Sequence, residues 1–193
     1  MLIQVGGGAV GSYLAAALAK ADHSITVWDG DTVEKKNIHN QCFTPNYIGQ
    51  NKALALEDMY PSIHAVPRFW NPEHEEILEA EFIIMSADSI KVRRQLAQAF
   101  FNKMCFDVRL IDSVYTIYAC TGEQMLSSLN YDDKDPEIVG ATPPCHMPSC
   151  RADLVLVAVA HQYRNIQHYI NTGTPAFSYS VGNLEVGFHY EEG

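Results

Sequence analysis

Gly6, Gly8 and Gly11 fall at the spacing of a turn whose backbone approaches phosphate, directly after the apolar run Leu2–Val5 and at the start of a helix over Ala9–Lys20. Such a turn offers an anion unblocked amides and a helix start, and glycine puts no side chain in the way. A second apolar run, Ile25–Trp28, ends at Asp29-Gly30-Asp31, with Asp29 placed 18 positions after Gly11. A carboxylate there can accept hydrogen bonds from ribose hydroxyls. Lys52 supplies a point charge to the same cassette. A ligand-free strand–helix turn would need the glycines but neither the acids nor the lysine, so the combination favours nucleotide binding.

These groups need a sheet to position them. Leu2–Val5, Ile25–Trp28, Ala65–Trp70 and Phe82–Ser86 read as core strands, and Met104–Ile111 as a fifth. Helical stretches separate them: Ala9–Lys20, Asn51–Tyr60, Pro72–Leu78, and one capped by Asp88 or Ser89 that runs to about Asn102. The alternation predicts an α/β fold, a doubly wound Rossmann-like and mostly parallel sheet with antiparallel C-terminal strands. Val114–Ala119 is β-like and Tyr-rich, Asp153–Ile170 reads as a buried helix, and Phe177–Tyr179 with Leu184–Tyr190 read as a closing pair around Gly182-Asn183. The polar stretch at about 120–150 reads as a crossover or lid loop. No repeat or linker interrupts the chain, so residues 1–193 are expected to form a single domain.

The balance of 47% apolar and 19% charged residues is that of a globular protein, and 193 residues suffice for a buried core. A net charge of -10 argues against nucleic acid as a partner. With no apolar run long enough to span a bilayer and no signal-like start, a cytoplasmic, membrane-free protein is expected. Five irregularly spaced cysteines fit reduced thiols.

Past Asp31 the chain runs Thr32-Val-Glu-Lys-Lys-Asn37-Ile-His-Asn40-Gln41, then Ile48-Gly49-Gln-Asn-Lys52-Ala53, and later Ser86-Ala-Asp88 with Arg93 five residues on. This ordered set resembles the ThiF/MoeB family, which includes the adenylating domains of ubiquitin-activating enzymes. The resemblance covers about the first 110 residues, and the later part is similar to the short ThiF-like proteins of phages and mobile elements. It implies ATP and Mg²⁺ as cofactors. It also implies a small ubiquitin-like or sulfur-carrier protein with a C-terminal glycine as partner, and a homodimer or heterodimer. By position, Gly6, Gly8, Gly11, Asp29, Asp31, Asn37, Gln41 and Lys52 would hold the nucleotide. Lys52, Asp88 and Arg109 would serve catalysis, and Asp88 would meet the metal. Asn40 stands where the family has an arginine, and no counterpart is expected for the family's N-terminal helix before the first strand. Arg93, Arg94 and Arg109 are candidates for the missing charge.

Other residues have blander readings. Cys145, His146 and Cys150 form too small a cluster for zinc and read as loop thiols. Cys120, Cys145 and Cys150 read as structural before they read as thioester nucleophiles. His161 and His168 read as core or interface residues, and Tyr115 and Tyr118 as packing residues. The leading expectation is an ATP-dependent adenylyltransferase. The alternatives are a non-catalytic ThiF-like subunit of a heterodimer and an NAD-dependent oxidoreductase; Lys52 and the Asn37–Gln41 loop speak against the last.

Overall fold

The apolar strands alternate their side chains between two cores, one on each face of a single sheet. The computed structural model describes residues 2–111, 113–132, 152–183 and 187–190. In chain order the elements are β1 (Leu2–Val5), α1 (Ala9–Lys20), β2 (Ile25–Trp28), α2 (Lys52–Met59), β3 (Ile63–Val66), β4 (Phe82–Met85), α3 (Ile90–Ala99), β5 (Met104–Ile111), β6 (Val114–Thr121), α4 (Gly122–Asp132), α5 (Ala152–Thr172), β7 (Tyr179–Asn183) and β8 (Gly187–Tyr190). One core gathers Ile25, Val27, Ile84, Phe106 and Val108 with α1, α2 and α5. The other gathers Ile3, Val5, Ile83, Met85 and Cys105 with α3 and α4. Strand order is β3-β2-β1-β4-β5-β6-β7-β8. β1 to β5 pair in parallel, and β6, β7 and β8 continue the sheet antiparallel. The expected fold class is therefore the observed one. The order reverses direction between β1 and β4, which opens a crevice at their carboxyl ends.

Several boundaries differ from the sequence reading. β3 covers Ile63–Val66 rather than Ala65–Trp70, with Ile63 aligned to Ile25 of β2. Pro67 has no amide to donate to a ladder, so the strand stops before it. Trp70 is still buried, at 5% exposure, but it reaches the core from a loop. Pro72–Leu78 was read as helix, and only a 3₁₀ turn over Glu75–Glu79 forms, burying Ile77. α3 ends at Ala99, earlier than Asn102.

The expected loop at about 120–150 begins with α4. Thr121 and Gln124 exchange bonds across its first turn: the Thr121 amide donates to Gln124 Oε1 (3.0 Å), and the Gln124 amide donates to Thr121 Oγ1 (3.4 Å). Met125 and Leu129, four apart on one helix face, are buried in the α3–α4 core. Gly122 opens the helix because a Cβ there would strike the carbonyl oxygens of Ala97 and Phe100 at the end of α3. Residues 133–151, with Cys145, His146 and Cys150, lie outside the described residues.

Gly182-Asn183 was read as the turn of the closing pair, but both residues belong to β7. Gly182 pairs with Tyr115, and a Cβ on it would run into the Tyr115 ring. That ring is fully buried, and its hydroxyl meets His161 Nδ1 at 3.0 Å. The glycine is needed for close approach, not for a turn. Gly182→Ala is expected to cost about 1–3 kcal/mol by overpacking. Chemical denaturation checks this.

Candidate functional site

The glycine turn lies at the crevice between β1 and β4, and each glycine there meets a different constraint. Gly6 has φ +106°, and a Cβ on it would overlap the backbone of Ser86 and Ala87 just past β4. This contact brings the turn against the segment that leads into Asp88. Gly11 faces the Gly6 carbonyl and Gln4 so closely that no Cβ fits. Gly8 has nothing within 4 Å of a Cβ position, so the space beside it is open. The first-turn amides of α1 have no carbonyl within the helix to bond, which leaves them for a ligand.

Two side chains close the turn. Gln4, wholly buried in β1, donates from Nε2 to the carbonyls of Gly6 and Gly11, each at 2.8 Å. Asp29 accepts the Gly7 amide on Oδ2 (2.6 Å) and the Asp31 amide on Oδ1 (2.7 Å). Asp29 is 7% exposed, and burial raises its carboxyl above the ordinary range. The Lys52 charge and the two backbone amides pull it back down, and Asp31 adds a smaller raising effect.

Asn51 locks the next shell. It caps α2 by accepting the Leu54 amide (3.2 Å), and its Nδ2 donates to the carbonyls of Asp29 (2.9 Å) and Asp31 (3.1 Å). The Lys52 amide donates to the Asp31 carbonyl (2.9 Å), and Lys52 Nζ pairs with Asp31 Oδ2 at 3.0 Å. The lysine side chain is only 9% exposed, whereas Asp31 is 55% exposed. The cation is therefore held inside the edge, with the acid on its solvent side.

Asn37 and Gln41 shape the loop between β2 and α2. Asn37 Oδ1 accepts the Glu34 amide (2.8 Å), and its carbonyl accepts the Gln41 amide (2.9 Å). Gln41 is buried, and its Oε1 has no hydrogen-bond partner among the described residues. The Cys42 amide donates to Ser12 Oγ (3.0 Å), tying the loop to α1. Asn40 is 3% exposed, so this position offers an uncharged side chain inside the fold, while His39 beside it is exposed.

Asp88 is exposed just past β4, and among the described residues nothing bonds its carboxylate. Arg93 and Arg109 converge on Asp107 of β5, which is fully buried. Arg93 pairs with one Asp107 oxygen and donates from Nε to the Ala87 carbonyl (2.7 Å). Arg109 donates from Nε to Asp107 Oδ2 (2.8 Å) and from Nη2 to Ser128 Oγ (3.0 Å), with its guanidinium 4.3 Å over the Tyr118 ring. Arg94 reaches the Leu129 carbonyl (2.9 Å). The arginines named as replacements for the missing charge are thus engaged by β5, β6 and α4.

The geometry brings Gly6, Gly8, Gly11, Asp29, Asp31 and Lys52 into one hydrogen-bonded unit and sets Asp88 beside it. It places Arg109 with Asp107. Sequence reasoning missed Gln4, Asn51 and Asp107. Each carried a signal: a polar residue inside an apolar strand for Gln4 and Asp107, and an N-cap residue type before a helix for Asn51.

Tyr115 packs in the core as read, while His168 lies outside it. Cys120 is opposite Cys105 in the β5–β6 pair, and burial pushes its thiol up to about 11. Among the described residues no group of three or more metal-binding side chains occurs. His161 packs edge-on against Tyr115, burial lowers its pKa, and His168 is exposed. No described helix is long and apolar enough to cross a membrane.

Among solved structures, E. coli MccB with ATP aligns at TM-score 0.74 and 18% identity, over 99% of this chain and 63% of that one. E. coli MccB with AMPCPP and the selenomethionine form of MccA aligns at TM-score 0.73 and 17% identity, over the same shares. PaaA aligns at TM-score 0.71 and 17% identity, over 98% of this chain and 63% of that one. At these identities the likeness is one of fold, and the chain spans under two thirds of the length of these neighbours. No curated protein matches the sequence. Residues 2–128 match the ThiF family, and they carry the glycine turn, the Asp29–Asp31 edge, Lys52 and Asp88. The chain belongs to the ThiF family and has the family's adenylyltransferase-like, nucleotide-binding fold.

Proposed function

We propose that this chain is an ATP-dependent adenylyltransferase that activates the C-terminal glycine carboxylate of a small ubiquitin-like or sulfur-carrier protein. The observation that carries this reading is the single unit formed by the glycine turn, Asp29, Asp31 and Lys52, with Asp88 across the crevice. A dehydrogenase needs the turn and one acid; it has no use for a buried lysine aimed along the same edge.

In this reading a carboxylate oxygen of the substrate attacks the α-phosphorus of ATP. The bond to the bridging oxygen breaks, and acyl-AMP and pyrophosphate result. The α1 amides and the open space at Gly8 receive phosphate oxygens, and Asp29 faces the ribose hydroxyls with its remaining lone pairs. Lys52, steered by Asp31, meets negative charge as it builds on the triphosphate. Asp88 suits a hard cation: a single exposed carboxylate, with phosphate oxygens completing the shell, is how Mg²⁺ is commonly held. Bound there, Mg²⁺ would offset charge on the leaving pyrophosphate. Arg109 would add positive potential from the β5 end, since Asp107 offsets only one of the two arginines it binds. Asn37 and Gln41 would form the loop over the nucleotide. A homodimer or heterodimer could complete the charge set that Asn40 leaves short.

The neighbouring MccB structure solved with MccA supports a second substrate class, a peptide. ATP–pyrophosphate exchange with carrier proteins ending in Gly-Gly and with free peptides separates the two. Exchange with neither, in a protein that binds ATP, would indicate the non-catalytic subunit.

ATP with Mg²⁺ is expected to raise the melting temperature more than NAD does, because a ligand stabilises the fold it binds. Differential scanning fluorimetry checks this, and a larger shift with NAD would remove the adenylation reading. Lys52→Ala and Asp88→Ala are each expected to lower exchange by roughly a hundredfold or more. Circular dichroism should remain native, since neither residue fills a core cavity; unimpaired exchange in both variants would overturn the assignment. Cys120→Ser should leave exchange unchanged and trap no less of any thioester. Its thiol, held up at about 11, is protonated at neutral pH.

A further inference from the structure

β1 lies between β2 and β4, and Gln4 is wholly buried at its centre. An apolar residue would suit that place better, because a buried amide needs a partner for each polar group. Gln4 is provided for on one side only. Both Nε2 bonds go to glycine carbonyls, while Oε1 has no hydrogen-bond partner among the described residues. The amide has one workable orientation, since a flip would set its oxygen against two carbonyl oxygens.

This unequal arrangement decides how the glycine turn presents itself. The Gly6 carbonyl is drawn toward β1, into the protein, and the Gln4 amide ties it to the Gly11 carbonyl, whose direction α1 already fixes. The Gly6 amide is spent on the Trp28 carbonyl (2.8 Å), and the Gly7 amide on Asp29. What faces the crevice is the α1 start and the open space at Gly8. A Gly6 carbonyl released to swing outward would set a negative dipole where phosphate oxygens must lie.

We propose that Gln4 is a positioning residue for polyphosphate binding: it holds the Gly6 carbonyl inward by tying it to the start of α1, so that the turn meets phosphate with amides alone. This rests on the nucleotide reading above. It goes beyond that reading by assigning phosphate affinity to a buried strand residue that touches no ligand.

The test is calorimetric binding of ATP, pyrophosphate and adenosine to the wild type and to Gln4→Leu, which keeps the volume and removes both donors. Affinity for ATP and pyrophosphate should fall together by about tenfold, as expected for losing two hydrogen bonds that organise the turn. Adenosine should bind as before. Equal weakening for all three would mean general loosening and would overturn the proposal, as would unchanged pyrophosphate binding. If Gln4→Leu does not fold, Gln4→Met replaces it. Hydrogen exchange on the wild type gives a second reading: pyrophosphate should protect the Ala9, Val10 and Gly11 amides, and no protection there would overturn the proposal. A wild type that binds neither ATP nor pyrophosphate would instead remove the nucleotide reading itself.

Discussion

The Asp29 carboxylate is the point on which the rest of the site depends. It joins two backbone amides that belong to different parts of the chain, Gly7 in the turn after β1 and Asp31 beyond β2. Burying a carboxylate is costly, and the raised pKa shows that burial outweighs the other influences on it. Amides and the Lys52 charge offset part of that cost. In return, the turn and the β2 edge are fastened to each other. Asn51 then fastens α2 to the same edge through the carbonyls of Asp29 and Asp31, so Lys52 arrives at a fixed place.

A second node lies across the crevice. Asp107 is fully buried and takes a guanidinium on each of its oxygens. Arg93 extends the node to the Ala87 carbonyl, one residue before Asp88, and Arg109 extends it to α4. The exposed position of Asp88 thus depends on a buried ion cluster rather than on contacts of its own. Removing one partner would leave uncompensated charge inside the protein, which is far more damaging than losing a surface pair. The two nodes meet where Gly6 packs against Ser86 and Ala87.

The division of the sheet follows from these nodes. The parallel strands β1 to β5 carry the glycine turn, the acidic edge and Asp88, all within the stretch that matches the ThiF family. The antiparallel strands β6 to β8 extend the sheet and supply Tyr118 beneath Arg109 and Tyr115 beside His161. MccB and PaaA share this whole arrangement in fold while running longer than this chain.

The sequence by itself determined the glycine turn, the capped start of α3, the acidic end of β2 and the alternation of parallel strands with helices. These features are local: each is written within one strand–turn–helix unit, where spacing and residue type suffice. The Thr121–Gln124 cap of α4 was equally local and went unread because the polar stretch that follows it outweighed it. Only the tertiary structure decided the rest. Arg93 and Arg109 meet on Asp107 because β4, β5 and α3 pack together, and no spacing rule ranks that pairing above a phosphate. β3 stops at Val66 because Pro67 cannot join a ladder set by β2, although Trp70 is apolar and buried all the same. Gly182 is a glycine because Tyr115, 67 residues earlier, lies over it. Gln4 reads as one polar residue in an apolar strand until the turn it closes folds back onto it. In each case the deciding contact joins residues that are distant in the chain, and packing alone brings them together.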